Sequence, residues 1–133
     1  MTGEGIIDRY RGYIACLNSQ NWTELEHFVH HEVHYNGVRV GVDGYRQMLE
    51  NDFRAIPDLQ FSIALLIAEP PQVAVQLRFD CTPIGDLFGF AVNGTRVSFS
   101  ENVFYAFSEG KIHDVWSVID KAAVGDQIQA STI

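Results

Sequence analysis

Residues 96–120, which read RVSFSENVFYAFSEGKIHDVWSVID, decide the fold of this chain. Both halves of the stretch alternate at a period of two, which is typical of β-strands. Between them, Glu109-Gly110 suits a two-residue turn, so we predict an antiparallel hairpin in which Phe107 lies opposite Ile112. In that register one face of the hairpin carries these residues from both strands: Val97, Phe99, Glu101, Val103, Tyr105, Phe107, Ile112, Asp114, Trp116, Val118 and Asp120.

Three acids share this otherwise apolar face, and Glu101 and Asp120 become diagonal neighbours about 7–8 Å apart at the backbone. An acid on a buried face is costly unless it is paired or hydrated, and burial and nearby like charge both raise the pKa of a carboxyl group. Such an acid suits proton transfer near neutral pH, so we predict Asp120, Asp114 and Glu101 as catalytic residues. The alternative is that Glu101 and Asp120 lie at a hydrated end of the sheet or pair with Arg96 or Arg78.

The composition is that of a folded acidic protein of 133 residues, a length that predicts one domain spanning 1–133. The hydrophobic share is 47%, and the formal net charge of -8 argues against nucleic acid and anionic membranes as partners. We find no signal peptide and no apolar run long enough to span a bilayer. Cys16 and Cys81 lie far apart without a CxxC motif, which favours free thiols in a reducing cytoplasm.

Apolar spacing along the rest of the chain predicts three helices and then strands. In chain order, the predicted elements are helices at 4–18 and 21–31, a short strand or hairpin at 33–41, a helix at 42–55, strands at 59–68 and 72–82, and a Gly- and Phe-rich loop at 83–94. The tail from Lys121 could make one helical turn or pack on a partner. Helices on one face of a strongly bent antiparallel sheet make an α+β fold with a concave pocket between the layers.

Two stretches of the chain resemble a known family. The first, PIGDLFGFAVNGTRVSFSE, is similar to the signature of SnoaL-type polyketide cyclases and related ester cyclases, and its matching positions are Gly85, Phe88-Gly89, Asn93-Gly94 and Arg96. The second, EGKIHDVWSVID, resembles the last strand of that family. The likeness covers most of residues 6–125. It implies the cone-shaped α+β fold shared with nuclear transport factor 2 and ketosteroid isomerase, in which three N-terminal helices pack on a strongly curved antiparallel sheet.

The resemblance also implies an enzyme that uses no metal and no cofactor. Family cyclases close a ring of an aromatic polyketide by an intramolecular aldol condensation. An aspartate on their last strand acts as general acid and base, and Asp120 matches that position. The implied ligand is a small apolar or aromatic molecule inside the cone. The family's acid-His-Trp-acid run reads Asp114-Val115-Trp116-Ser117 here, so the histidine is absent.

Seven further residues are expected to line the pocket. Asn36 matches an asparagine that family members carry there and could hydrogen-bond a substrate carbonyl, while its place before Gly37 equally suits a turn. Trp116 could wall the pocket and desolvate the acids beside it. The full set of predicted pocket residues is Asn36, Tyr35, His34, Phe99, Tyr105, Trp116 and Phe88.

Four histidines, His27, His30, His31 and His34, follow one another at helical spacing. Two imidazoles at i and i+4 can bind zinc. The run HFVHH lacks the glutamate of the zinc-protease motif and has no cysteine nearby, so we interpret the cluster as a surface feature and predict no metal.

Two functions fit the sequence. One is a cofactor-free cyclase or isomerase that works by proton transfer, and the other is a non-catalytic binding domain of the same fold. Many members of the family are dimers, and apolar residues occupy both faces of the strand at 59–68. We therefore predict a homodimer formed through the outer face of the sheet.

Overall fold

A computed structural model describes residues 2–131, in which three α-helices accompany two sheets. The elements are α1 (Gly3–Asn18), a 3₁₀ helix (Trp22–His27), β1 (Val29–Tyr35), β2 (Val38–Arg39), α2 (Gly41–Ala55), β3 (Ser62–Glu69), β4 (Gln72–Cys81), β5 (Asp86–Leu87), β6 (Phe90–Ala91), β7 (Val97–Ser108), β8 (Lys111–Ile119) and α3 (Lys121–Ser131). No helix in residues 2–131 is long and apolar enough to cross a membrane.

The predicted α+β class is confirmed: the helices pack on a curved, mainly antiparallel sheet. The large sheet has the order β2-β1-β8-β7-β4-β3, and β5 and β6 pair separately. The expectation of a wholly antiparallel sheet needs one correction, because β1 runs parallel to β8. Alternate residues of β4, from Val73 to Cys81, are buried as predicted and form the centre of the core.

Helices α1 and α2 confirm the first and third predicted helices, whereas the second prediction is wrong beyond His27. Only a short 3₁₀ helix forms there, and residues 29–35 are strand β1. Val29 and Val33, both buried, are four residues apart, a spacing that suits one face of a helix and one face of a strand equally. Pairing of β1 with β8 supplies the backbone hydrogen bonds that favour the strand.

The β7–β8 hairpin has the predicted turn. Glu109 and Gly110 both have positive φ, at 56° and 76°, as a type I′ turn requires, and Phe107 lies opposite Ile112. The register beyond this pair differs from the prediction, since Ala106 faces Asp114 and His113 is an extra residue in β8.

Because of this β-bulge, the residues of β8 that the predicted register puts on the inner face lie on the outer face, and the reverse. Val115, Ser117 and Ile119 therefore lie on the inner face with Glu101, whereas Asp114, Trp116, Val118 and Asp120 do not. Val115 is buried, and Val118 is 70% exposed.

The tail forms a full helix, α3, of 11 residues, rather than the single turn considered above. The Asp120 carboxylate accepts a bond of 3.2 Å from the Ala123 amide and caps this helix. Further along α3, the Gln127 side chain accepts from the Ser98 amide at 2.8 Å and donates to the Ser98 carbonyl. These bonds fix α3 against the first part of β7, which β8 does not reach.

Candidate active site

A cavity of about 330 Å³ opens between α2 and the inner face of the sheet. Its wall is mainly apolar, with three polar or acidic groups from α2 and β7. The lining residues are Tyr35, Met48, Asn51, Asp52, Ala55, Ile56, Leu59, Phe61, Phe79, Leu87, Phe88, Phe99, Glu101 and Ile119. A smaller cavity of about 50 Å³ shares Tyr35, Asp52 and Glu101 with it and reaches the tyrosines of the core.

Glu101 is the half-buried acid of this site, and it projects from the inner face of β7. Burial raises the pKa of its carboxyl group, and a hydrogen bond donated by the Ser117 hydroxyl partly opposes that rise. The alternative in which Arg96 pairs with Glu101 or Asp120 does not occur. Arg96 instead pairs with Asp80, with 2.9 Å between Nε and Oδ1.

Asp52 is a second acid of the cavity that the sequence analysis missed. It lies on α2 at the rim, where the residue as a whole is exposed to solvent while its carboxyl group is largely buried and its side chain lines both cavities. Burial of the carboxyl group and, secondarily, the charge of Glu101 raise its pKa to about 6. The sequence did hold a signal, because Asp52 follows Tyr45 and Leu49 by seven and three residues and so shares their helix face.

Phenol groups form the inner end of the site. The Tyr13 and Tyr45 hydroxyls lie 2.6 Å apart, and the Tyr10 hydroxyl donates to that of Tyr105 at 3.0 Å. Burial raises the pKa of all four phenols, so each is a neutral hydroxyl at physiological pH. Tyr35 stands nearer the rim, where burial also raises its pKa.

Three aromatic rings line another part of the cavity. Phe99 stacks on Phe79 with 5.0 Å between ring centroids and meets the edge of Phe88 at 5.4 Å. Phe88 belongs to the turn between β5 and β6 and has a positive φ of 53°, which is uncommon for a residue other than glycine. This conformation places its ring on the cavity, with the Lys121 ammonium 5.5 Å from the ring centroid.

The structure brings five of the ten predicted site residues to these cavities: Glu101, Tyr35, Phe99, Phe88 and Tyr105. Glu101, Phe99 and Tyr105 lie on the inner face of β7, whose pairing with β4 has no bulge to disturb the predicted alternation. Tyr35 of β1 was predicted from the family position that it occupies. Phe88 was chosen from its motif rather than from alternation.

The other five lie elsewhere: Asp120, Asp114, Trp116, His34 and Asn36. The bulge at His113 accounts for Asp114, Trp116 and Asp120, because it turns alternate residues of β8 away from the cavity. Trp116 is 43% exposed on the outer face, and Asp114 contacts His113 at 2.9 Å.

Asn36 serves the turn rather than the cavity lining. Its φ is 50°, its side chain accepts from the Ser117 amide at 2.8 Å, and it precedes Gly37 in the β1–β2 turn. His34 lies directly opposite Asp114 in the β1–β8 pair and shares its outer face.

The arrangement suits proton transfer on an uncharged molecule. An apolar cavity that holds two carboxyl groups of raised pKa can remove a proton from carbon and return one to oxygen, and buried hydroxyls can stabilise a developing oxyanion. The two acids come from different elements, Asp52 from α2 and Glu101 from β7. The site therefore forms only when α2 packs on the sheet.

Comparison with known proteins gives a consistent result. Residues 7–128 match the model of the family described as SnoaL-like polyketide cyclase. A crystal structure of a SnoaL-like polyketide cyclase from Agrobacterium tumefaciens strain C58 is 44% identical, with a TM-score of 0.92, over 96% of this chain and 99% of that one. The comparison with curated protein sequences found no match.

More distant structures share the fold. TsrD from Streptomyces laurentii is 18% identical with a TM-score of 0.84, covering 96% of this chain and 97% of its own. AclR from Streptomyces galilaeus is 20% identical with a TM-score of 0.79, covering 97% of this chain and 98% of its own.

Proposed function

The chain belongs to the SnoaL-like polyketide cyclase family, and we propose that it is a cyclase or isomerase that moves a proton on a small apolar or aromatic carbonyl compound. The observation that carries the proposal is Glu101, a half-buried carboxyl group of raised pKa in an otherwise apolar cavity. The chemistry implied by family likeness is an intramolecular aldol-type ring closure without a cofactor.

In this mechanism Glu101 and Asp52 divide the work. The Glu101 carboxylate removes a proton from the carbon next to a carbonyl group, and the resulting enolate carbon forms a bond to a second carbonyl carbon of the same molecule. Asp52, whose pKa of about 6 keeps part of its population protonated near neutral pH, supplies a proton to the new alkoxide. Glu101 then returns its proton through solvent or Asp52, and the aromatic wall orients the substrate.

This proposal moves the acid and base role from Asp120 to Glu101. Asp120 matches the family position in sequence, but its carboxylate caps α3 and it is not among the residues that line the cavity. Asp114 likewise contacts His113 outside the cavity. Glu101 was predicted as the third catalytic acid, and it is the one that combines burial with access to the cavity.

The test is hydrogen–deuterium exchange at the α-carbon of 2-tetralone, an aromatic ketone, in D2O followed by proton NMR. We expect the wild-type protein to accelerate exchange and Glu101→Gln to lower the catalysed rate by about 10²–10⁴-fold, since it removes the general base. Asp120→Asn is the matched control and should retain the rate. Loss of exchange in Asp120→Asn with retention in Glu101→Gln would contradict the assignment.

A non-catalytic binding domain predicts a different result. In that case 2-tetralone binds, as measured by quenching of protein fluorescence, but the protein does not accelerate exchange. Equal affinity in wild type and Glu101→Gln, with exchange lost only in the variant, separates catalysis from binding.

We also propose that the protein is a homodimer joined through the outer face of the sheet. Ile67, Ala74, Phe104 and Trp116 form a continuous cross-strand row over four strands. Ile67 and Phe104 are each 60% exposed, and contiguous apolar surface of this kind marks interfaces. A second copy of the chain presents the same apolar row, so the surface can pair with itself.

Finally, we propose that the protein is cytoplasmic. Cys16 and Cys81 are both buried free thiols, a state that a reducing compartment maintains.

A further inference from the structure

Three metal-ligating side chains converge where β1 runs parallel to β8, on the opposite face of the sheet from the cavity. His34 of β1 lies opposite Asp114 of β8, and the bulge residue His113 adjoins both. One ligand atom from each of the three lies within 4.8 Å of the others. The His34 and His113 rings stack with 5.6 Å between centroids, and His113 Nδ1 is 2.9 Å from Asp114 Oδ2.

The His34 ring adds an independent observation. Its Nδ1 atom is buried and has no hydrogen-bond partner among residues 2–131. Buried polar atoms almost always have a partner, because losing hydration without compensation costs about 1–3 kcal/mol. A metal ion bound by the His34 ring would supply a partner of the kind that this nitrogen lacks.

Two neighbouring histidines, His30 and His31, form a separate group with Glu32, in which one ligand atom from each residue also lies within 4.8 Å of the others. His30 Nδ1 accepts a bond of 3.0 Å from the Glu32 amide, so the neutral ring carries its proton on Nε2 and offers no free lone pair. His30 is 7% exposed, and its ring centroid lies 4.8 Å from that of His113, so the His30 ring packs against one side of the first group. His27 contacts Glu24 at 2.6 Å, on the 3₁₀ helix.

We propose that His34, His113 and Asp114 bind a divalent transition-metal ion of the zinc or cobalt class. Two imidazoles and one carboxylate suit such an ion, which takes nitrogen and oxygen ligands at about 2.0–2.2 Å, whereas Mg²⁺ and Ca²⁺ prefer oxygen alone. Replacing the His113–Asp114 contact with metal bonds brings the three groups together, and a water completes the coordination. The side chains of His113 and Asp114 are 28% and 31% exposed, so an ion can enter from solvent.

The predicted consequence is structural. The ion links β1 to β8 across the parallel pair, in which a long irregularity separates the Val29–Ile112 and His34–Asp114 contacts. The site is independent of proton transfer in the cavity, so its occupancy is measurable without any assay of activity.

The test uses untagged, metal-free protein titrated with Co²⁺ and followed by visible absorption, then with Zn²⁺ by calorimetry. We expect saturable binding of a single ion and a Tm that rises with Zn²⁺ concentration. His34→Gln and Asp114→Asn should each weaken binding at least about tenfold. His31→Gln, which alters an exposed histidine next to the site, is the matched control and should bind as the wild type does.

Absence of saturable Co²⁺ binding, or an equal loss in His31→Gln, would overturn the proposal. Imidazole NMR signals of the wild-type protein provide a second measurement that needs no variant to fold. Addition of Zn²⁺ should shift the ring signals of His34 and His113 and leave those of His27 unchanged, and the reverse pattern would also overturn it.

Discussion

The two faces of the β7–β8 hairpin differ in chemistry although they alternate along the same strands. The inner face carries Glu101 beside a cavity and between apolar neighbours, and burial there raises the pKa of its carboxyl group. The outer face exposes Phe104 and Trp116, which lie opposite each other, and ends in the His113–Asp114 contact. Glu101 is thus a partly buried acid, and Phe104 and Trp116 are exposed aromatic residues, which in each case is against the usual preference of the residue type.

A single extra residue decides which side chains belong to which face of β8. With His113 as a bulge, Ser117 points inward and donates to Glu101, while Trp116 points outward. Strand β7 has no such irregularity in its ten-residue pairing with β4. Strand β8 can therefore lose one residue at its bulge without changing which side chains lie on each face, whereas β7 cannot.

The largest effect should come from deleting one residue of β7. Deletion of Asn102, an exposed outer-face residue, would turn either residues 97–101 or residues 103–108 to the wrong face of a strand paired on both sides. We expect loss of more than about 4 kcal/mol of unfolding free energy, or no folded protein, measured by chemical denaturation.

Deletion of His113 is the matched control for this prediction. Without the bulge residue Ala106 still faces Asp114, so the faces are kept and the loss should stay below about 3 kcal/mol. Equal damage from the two deletions would contradict the view that only β8 holds a spare residue.

A smaller effect is expected when the outer face receives a charge. Phe104→Glu places a carboxylate in the middle of the apolar row and should convert the proposed dimer to a monomer, as measured by light scattering coupled to gel filtration at micromolar concentration. Ile84→Glu adds the same charge at a position that is 57% exposed in the loop before β5, and should leave the dimer intact. A wild-type monomer under these conditions would count against the interface.

The smallest effect concerns the titration of Asp52. Its carboxyl signal in ¹³C NMR should have a midpoint of about 6 in the wild type, and Glu101→Gln should lower that midpoint because the charge of Glu101 is the second cause of the rise. Asp114→Asn, on the outer face, should leave it unchanged. A wild-type midpoint near 3.8 would show that the inner face does not perturb its acids.

The raised pKa of Asp52 also determines the direction in which stability changes with pH. The pKa of Asp52 is raised on folding, so its contribution is fully present below the unfolded value of 3.8 and is lost as pH rises through about 6. Glu101→Gln should make this loss smaller, because Asp52 then ionises closer to its unfolded value.

The sequence predicted the fold class, the hairpin turn and five of the site residues because each depends on local alternation, turn chemistry or a local motif. Glu109-Gly110 specifies its turn by residue type alone, and Phe99 and Glu101 follow from the period of β7. Strand β1 was missed because Val29 and Val33 fit two periods, and pairing with distant β8 decides between them.

The remaining errors share a physical cause. A bulge adds one residue without a distinctive composition, so nothing in the letters around His113 marks the exchange of faces. The proximity of Asp52 to Glu101 and of His34 to His113 depends on packing between elements far apart in the chain, which periodicity does not contain.

The bonds between Gln127 and Ser98 have a consequence for association with other chains. A strand that lacks a neighbour offers free amide and carbonyl groups to any extended peptide, which is a common start of strand addition and fibril growth. The Gln127 amide satisfies both backbone groups of Ser98 just where β8 has ended, and so takes the place of a missing strand. Helix α3 therefore covers this edge of the sheet. Removal of α3 would leave the first residues of β7 open to pairing with another chain.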